Sequence, residues 1–327
     1  MTEAETTPGM FPDKPGECPE ATWEHLAVWE RIKEALYSLP SSFKMEGHFP
    51  AIPASDLHSA NTLLGAAIEE HIPTALNQMR ATWDPSGDYG KCIFKRQPQT
   101  FPDVLFRKEL IGGSETLFGI EIKSWYILAK EKEPSFRFYV NQKFCHPADL
   151  CVVYPWAFSA GVSGTPKLFR PLVVGARKAA RIRNECWISR AKTEEEKAIK
   201  EPEGDGRFHT TKSDRINDSS DYDDGGNFGR LARTNIWAAE IKQIMREEHI
   251  AGIPLLGWHA FLSAFKETAT LEESVEAIRR YLLRSGTKTP SPTDEAFSRI
   301  AEGVSTLYDL MGISTPAKPA SKPKKKA

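Results

Sequence analysis

The sequence predicts an α/β domain with a central mixed β-sheet flanked by helices and additional helical N- and C-terminal regions. Three observations carry that expectation. Apolar residues recur at helical spacing before residue 82, strand-like runs bounded by turn signals occupy 83–156, and helical texture returns after 171. Helices, then clustered strands, then helices is the order of a domain built around one sheet.

The elements follow in chain order. Residues 1–20 are rich in Pro, Glu and Thr and read as a disordered arm. From Thr22, the residues Trp23, Leu26, Trp29, Ile32 and Leu36 mark an amphipathic helix that Pro40 stops. A Pro- and Gly-containing link covers 40–54, and Ser55 or Asp56 opens a second helix to about Glu70. Pro73 kinks or ends it, with a short continuation to Met79. Beyond Trp83 the texture changes to strands and turns. Asp103–Phe106 reads as a short strand, Leu117–Leu128 as a long one, and Gly112-Gly113 as the turn of a hairpin between them. Ala148–Trp156 is a third strand, and a basic helix begins near Pro171 and runs to about Arg190.

Residues 192–227 are charged and read as a long, flexible surface loop. Helical texture resumes over 232–248, 258–267, 271–284 and 293–311, before a basic tail over 313–327 that reads as disordered. The expected organisation is an N-terminal helical region (21–82) packed on a core (83–191), then the loop, then a C-terminal helical region (228–312).

Composition excludes some classes of function. The 327 residues are 40% hydrophobic and 27% charged, with a formal net charge of −1. No stretch is apolar enough to cross a bilayer, and the N-terminal residues lack the pattern of a secretory signal. Cys18, Cys92, Cys145, Cys151 and Cys186 are odd in number and irregularly spaced. That argues against a disulfide framework and points to a reducing cytoplasm. Cys145-His146 with Cys151 lacks a second pair at zinc-like spacing. No phosphate-cradling glycine loop is present. The near-neutral net charge neither announces nor excludes nucleic acid, because the signs segregate. Residues 201–224 are acidic, 171–190 are basic, and Lys322–Lys326 ends the tail.

The chemistry concentrates in LFGIEIKSWYIL, residues 117–128. Side chains on a strand alternate between faces, so Glu121 and Lys123 share one face and Ile120 and Ile122 the other. A carboxylate and an ammonium on an otherwise apolar strand are costly unless paired or bound to something. The hairpin brings Asp103 beside Glu121. Two carboxylates repel, and a hard divalent cation such as Mg²⁺ or Mn²⁺ relieves that repulsion. The Ile122 carbonyl lies between Glu121 and Lys123 as a further oxygen. Lys123 is placed to orient an attacking water or to stabilise charge on a phosphate.

At Pro102-Asp103 and Glu121-Ile122-Lys123 the sequence resembles the PD-(D/E)xK nuclease superfamily, which includes many type II restriction endonucleases. The resemblance implies that Asp103 and Glu121 bind Mg²⁺ and that Lys123 assists the attacking water. It extends in broader outline from Trp83 to Arg190, where a restriction endonuclease-like core is expected. Some members add an acidic residue from a preceding helix, for which Glu69 and Glu70 are the candidates. Others carry a polar residue before the third strand, where Gln142 and Lys143 stand. Pro12-Asp13 and Glu240-Ile241-Lys242 repeat the bare motif, but in an arm and in an expected helix, where residues two apart do not share a face.

Arg177, Lys178, Arg181 and Arg183 form a basic stripe suited to backbone phosphates. Arg230 and Arg233 follow a Gly-rich loop and are candidates for a DNA groove. The expected activity is Mg²⁺-dependent hydrolysis of double-stranded DNA, most simply by a type II restriction enzyme leaving 5′-phosphates. Cutting two strands calls for two active sites, hence a homodimer, and restriction calls for a cognate DNA methyltransferase. A repair or recombination nuclease of the same superfamily and a non-catalytic DNA-binding protein with the same fold stay open.

Overall fold

The computed structural model describes residues 11–45, 49, 57–97, 99–129, 133–160, 163–209, 211, 214–223 and 226–264, and single helical positions at 273, 276 and 280. The expected start of the second helix at Ser55 or Asp56, residues 1–10, the helix expected at 293–311 and the basic tail lie outside them.

Helix α1 (Leu26–Ser42) buries Val28, Trp29, Ile32, Ala35, Leu36 and Leu39, the stripe its sequence periodicity predicts. Pro40 does not stop the helix but lies in its last turn. Lacking an N–H, it leaves the Leu36 carbonyl without its helical donor, and the Tyr154 hydroxyl donates to that oxygen at 3.1 Å. Helix α2 (Leu57–Gln78) likewise continues through Pro73, and α3 (Arg80–Trp83) follows.

Strands β1 (Cys92–Arg96), β2 (Val104–Leu110), β3 (Gly113–Tyr126), β4 (Leu150–Phe158), β5 (Pro166–Leu168) and β6 (Leu172–Gly175) form one mixed sheet. The order is β1-β2-β3-β4-β5, with β6 also paired to β4. β2 and β3 are the expected antiparallel hairpin, turning where Gly112 adopts a φ of 82°. β3 and β4 run parallel, and β4 is buried along its whole length. The chain is therefore mixed α/β with a central mixed sheet flanked by helices.

Three strands of the sheet, β1, β5 and β6, escaped the sequence reading. β1 is short and ends in Lys95 and Arg96, so its apolar alternation is brief. Its backbone is held by Asn77, whose amide donates to the Phe94 carbonyl at 2.8 Å and accepts from the Phe94 N–H at 2.9 Å. β6 occupies Leu172–Gly175, where the sequence suggested the first turn of a helix after Pro171. Its Val-Val pair suits a strand, and it pairs antiparallel with β4. Helix α4 (Ala176–Arg190) begins only after it.

The reading of residues 1–20 as a disordered arm fails from residue 11 onward. Asp13 pairs with Lys178 at 2.8 Å, Glu17 with Arg181 at 2.5 Å, and Lys14 with Glu185 at 2.6 Å. Composition alone hid this, because the arm's acids are neutralised by a helix more than 160 positions away in sequence. Residues 192–227 are long and largely irregular as expected, but they are tied down by isolated bridges Lys200↔Ser219 and Val140↔Asn217.

By internal contacts the chain divides into two units, one of residues 1–45, 58–157 and 167–244, the other of 46–57, 158–166 and 245–327. The first holds the candidate residues. Helix α5 (Ala238–Glu247) contains Glu240 and Lys242, so the second Glu-Ile-Lys triplet is helical as expected. In the second unit, β7 (His249–Ile250) and β8 (Ile253–Pro254) form a hairpin ahead of α6 (Leu255–Ala264). Trp258 closes it by donating to the Ile250 carbonyl at 3.0 Å. Among the described residues no helix is long and apolar enough to cross a membrane.

Candidate active site

Asp103, Glu121 and Lys123 converge where β2 leaves β3. The β2–β3 ladder closes at Val104↔Ile120, so the β3 backbone beyond Ile120 has no β2 partner on that edge. Carboxylates from two other segments take its place. Asp103 Oδ2 accepts the Ile122 N–H at 2.9 Å, and Glu69 Oε1, from α2, accepts the Ser124 N–H at 2.9 Å. The N–H and C=O of one strand residue point to the same side, so the Ile122 carbonyl opens on the same edge as Asp103.

Lys123 Nζ lies 3.0 Å from Asp103 Oδ2 and 2.7 Å from Glu121 Oε1. The three side chains are 22%, 29% and 12% exposed respectively. The ammonium therefore sits between two largely buried carboxylates. Burial works to lower the Lys123 pKa, but Glu121 and Asp103 outweigh it and raise it above the ordinary lysine value. Lys123 stays a cation and a hydrogen-bond donor.

Glu121 is pushed up to about 8, first by burial and then by Asp103, against the pull of Lys123. Burial also raises Glu69, opposed chiefly by Lys123. The second oxygen of Glu121, Oε2, is buried with no hydrogen-bond partner. An orphaned carboxylate oxygen in such a place is expensive unless a further positive group meets it.

That orphan oxygen is the test of a divalent cation at this site, and the donors fit one. Asp103, Glu121 and the Ile122 carbonyl are hard oxygen ligands of the kind Mg²⁺ and Mn²⁺ take, with water completing the shell. Among the described residues no cluster of three or more His, Cys, Asp or Glu side chains is arranged to hold a metal on its own. A cation here would depend on the main-chain oxygen and water as well as on side chains.

Two glycines set the approach distances. A methyl at Gly119 would lie 1.9 Å from Cγ of Pro102, so the proline ring rests directly on the bare β3 backbone and fixes the next residue, Asp103. The Asp103 carbonyl is held in turn by the Gln97 N–H at 2.6 Å. A methyl at Gly65 would lie 2.6 Å from Ser124 Oγ, so α2 touches β3 one turn before Glu69. Neither glycine was singled out from sequence, although an isolated strand glycine is a known sign of close backbone approach.

Gly119→Ala is expected to displace Pro102 and Asp103 together. Overpacking of this kind costs roughly 1–3 kcal/mol of stability. Urea unfolding should register that loss. An unchanged midpoint would contradict the packing described.

A pH dependence follows from Glu121. Its folded value is raised above the ordinary 4.5, so its stabilising contribution is complete below about 4.5 and lost as pH rises through about 8. His146, whose pKa burial lowers, works in the opposite sense, gaining stability as pH rises. The difference between wild type and Glu121→Gln isolates the carboxyl. In metal-free protein, melting temperatures of the two should diverge between about pH 5 and about pH 8.5, with the wild type losing ground. A difference independent of pH would contradict the burial of Glu121.

The remaining sequence candidates lie elsewhere. Glu70, next to Glu69 but about 100° round the helix, is exposed and does not share its position on β3. Gln142 and Lys143 form a 3-10 turn before β4, with Lys143 Nζ donating to the Pro202 carbonyl at 2.5 Å. The basic stripe is not an open phosphate surface. Arg177 donates to the Cys145 and Gly16 carbonyls at 2.6 and 2.9 Å, while Lys178 and Arg181 pair with Asp13 and Glu17. Arg183 is buried against Asp218. Arg230 and Arg233 line a cavity. Cys145 and Cys151 are free and buried.

No protein-family model matches the chain, and no curated protein or solved structure is significantly similar to it.

Proposed function

We propose that the chain is a Mg²⁺-dependent endonuclease of the PD-(D/E)xK type, with a restriction endonuclease-like core, that hydrolyses phosphodiester bonds in double-stranded DNA. The observation that carries this reading is the meeting of Asp103, Glu121 and Lys123 at a strand edge, with one buried Glu121 oxygen left without a partner.

Asp103, Glu121 and the Ile122 carbonyl would hold a Mg²⁺ ion, or Mn²⁺ in its place, which when bound would supply Lewis acidity toward the scissile phosphate and a water of lowered pKa. Lys123, held as an ammonium, orients the attacking water and offsets the charge that develops on the phosphate oxygens. It acts as a hydrogen-bond donor and not as a base. Glu69 holds the Ser124 N–H and so keeps the β3 edge in line with Asp103.

The type II restriction reading adds a homodimer, one active centre per strand, 5′-phosphate products, a cytoplasmic setting and a partner methyltransferase. Incubation with supercoiled plasmid and Mg²⁺ tests it. Discrete fragments with 5′-phosphate ends are the expected result. Nicks or smears would support a repair or recombination nuclease, and absence of cleavage across plasmids of varied sequence would favour a non-catalytic DNA-binding protein.

A further inference from the structure

The last turns of α4 and the segment 226–234 enclose a cavity of about 280 Å³, lined by Arg190, Arg230 and Arg233 together with Trp187 and Tyr222. It shares no residue with the carboxylate site. Its size is just below the roughly 300–1,000 Å³ that small-molecule pockets span.

The lining is predominantly cationic. Arg190 donates to the Arg233 carbonyl, and Arg230 to the Gly226 carbonyl at 3.0 Å. Neutral oxygens fix a guanidinium in place without cancelling its charge. Arg233 donates to the Asn227 side-chain oxygen and pairs with Glu133 at 3.8 Å, in an ion pair whose side chains are 38% and 39% exposed. A fourth arginine in the wall, Arg183, is already paired with Asp218. Glu196 is the one acid among the lining residues, and its carboxylate accepts the Lys192 N–H at 2.6 Å.

One side of the cavity is aromatic and held rigidly. The Trp187 indole N–H donates to the Glu196 carbonyl at 3.0 Å, and the ring stands edge-on to buried Phe228, with centroids 5.3 Å apart at 86°. Tyr222, 48% exposed, also lines the cavity. Guanidinium groups with spare donors fit phosphate oxygens in a forked geometry that other anions use less fully. An indole and a phenol ring fit a planar base.

We propose that this cavity binds a nucleoside monophosphate unit, with its phosphate against Arg190, Arg230 and Arg233 and its base against Trp187 and Tyr222. The unit is either a free nucleotide or the 5′-terminal nucleotide of a strand, which present the same chemistry. The proposal does not depend on the cation site, and its test involves no cleavage.

Calorimetric titration of the full-length, metal-free chain with dAMP, deoxyadenosine and inorganic phosphate tests it. dAMP should bind, with phosphate weaker and deoxyadenosine weakest. Arg190→Gln with Arg230→Gln should weaken dAMP by at least about tenfold, since each removes a charge-assisted bond. Arg230→Lys should fall between, keeping the charge but losing the fork. If the double variant melts early, Arg190→Gln alone, at an exposed position, carries the test. A 5′-phosphorylated dinucleotide binding as well as dAMP identifies the strand end as the source, whereas dAMP alone identifies the free nucleotide. No binding of dAMP at millimolar concentration, equal binding of deoxyadenosine, phosphate binding as tight as dAMP, or unchanged affinity in the arginine variants would overturn the assignment.

Discussion

Lys123→Ala is expected to reduce Mg²⁺-dependent DNA cleavage by on the order of 10²–10³-fold, the usual loss when one preorganised donor to developing charge is removed. The ammonium lies within hydrogen-bond reach of both carboxylates, 3.0 Å from Asp103 and 2.7 Å from Glu121. Its loss therefore has a second consequence that a remote charge would not produce. Two carboxylates, one of them 12% exposed, are left facing each other with no positive group between them. The metal-free variant should melt well below wild type, and Mg²⁺ should restore more stability to it than to wild type, because the cation then relieves the whole repulsion. Asp103→Ala should abolish cleavage too and should also lower the melting temperature, since it leaves the Ile122 N–H without its acceptor and Lys123 without one of its two carboxylate partners. Gel-based cleavage and melting curves with and without Mg²⁺ measure both effects. Normal cutting by both variants would contradict the site.

The second large effect concerns stability. Arg183 is 2% exposed and donates to the Phe138 and Val140 carbonyls at 2.8 and 3.1 Å, as well as pairing with fully buried Asp218. Asp218 also accepts from the Asn141 amide at 2.7 Å. One guanidinium thus joins α4, the strand-like segment 138–140 and the loop 192–227. Arg183→Met would leave a buried carboxylate without its cation and two carbonyls without a donor. Truncating one partner of such a pair costs roughly 3–5 kcal/mol. Urea unfolding should show that loss, whereas Arg177→Ala, whose bonds go to carbonyls near the surface, should cost much less. A shift below about 1 kcal/mol for Arg183→Met would contradict the network.

The contrast between these two residues shows what the sequence could reveal. Glu121 and Lys123 were legible because a strand alternates its side chains and the run around them is apolar. Asp103 was legible because a glycine turn implied a hairpin, and the hairpin brings its carboxylate within 3.0 Å of Lys123. These are local relations, set by backbone geometry over some twenty residues. Glu69 was half legible: a helix was expected there, but the face it turns to β3 depends on Gly65 touching Ser124, a contact between segments far apart in sequence.

Arg177, Lys178, Arg181 and Arg183 were read as one stripe because they share a helix and a sign. Their partners divide them. The arm takes three, through Gly16, Asp13 and Glu17, and Asp218 takes the fourth. No local pattern encodes which distant carboxylate a helix cation will meet. The same holds for Arg230 and Arg233, whose position in a cavity depends on where α4 ends. β6 was missed because Pro171 is compatible with a helix start, while pairing to β4 decided for a strand. In each case the missing information was a long-range contact.

Anomalous diffraction from crystals soaked in Mn²⁺ tests the central claim most directly. The expected result is a peak at the β3 edge beside Asp103, Glu121 and the Ile122 carbonyl, the oxygens that would hold the ion. Well-diffracting soaked crystals with no peak there, and Lys123 still bridging Asp103 and Glu121, would contradict it.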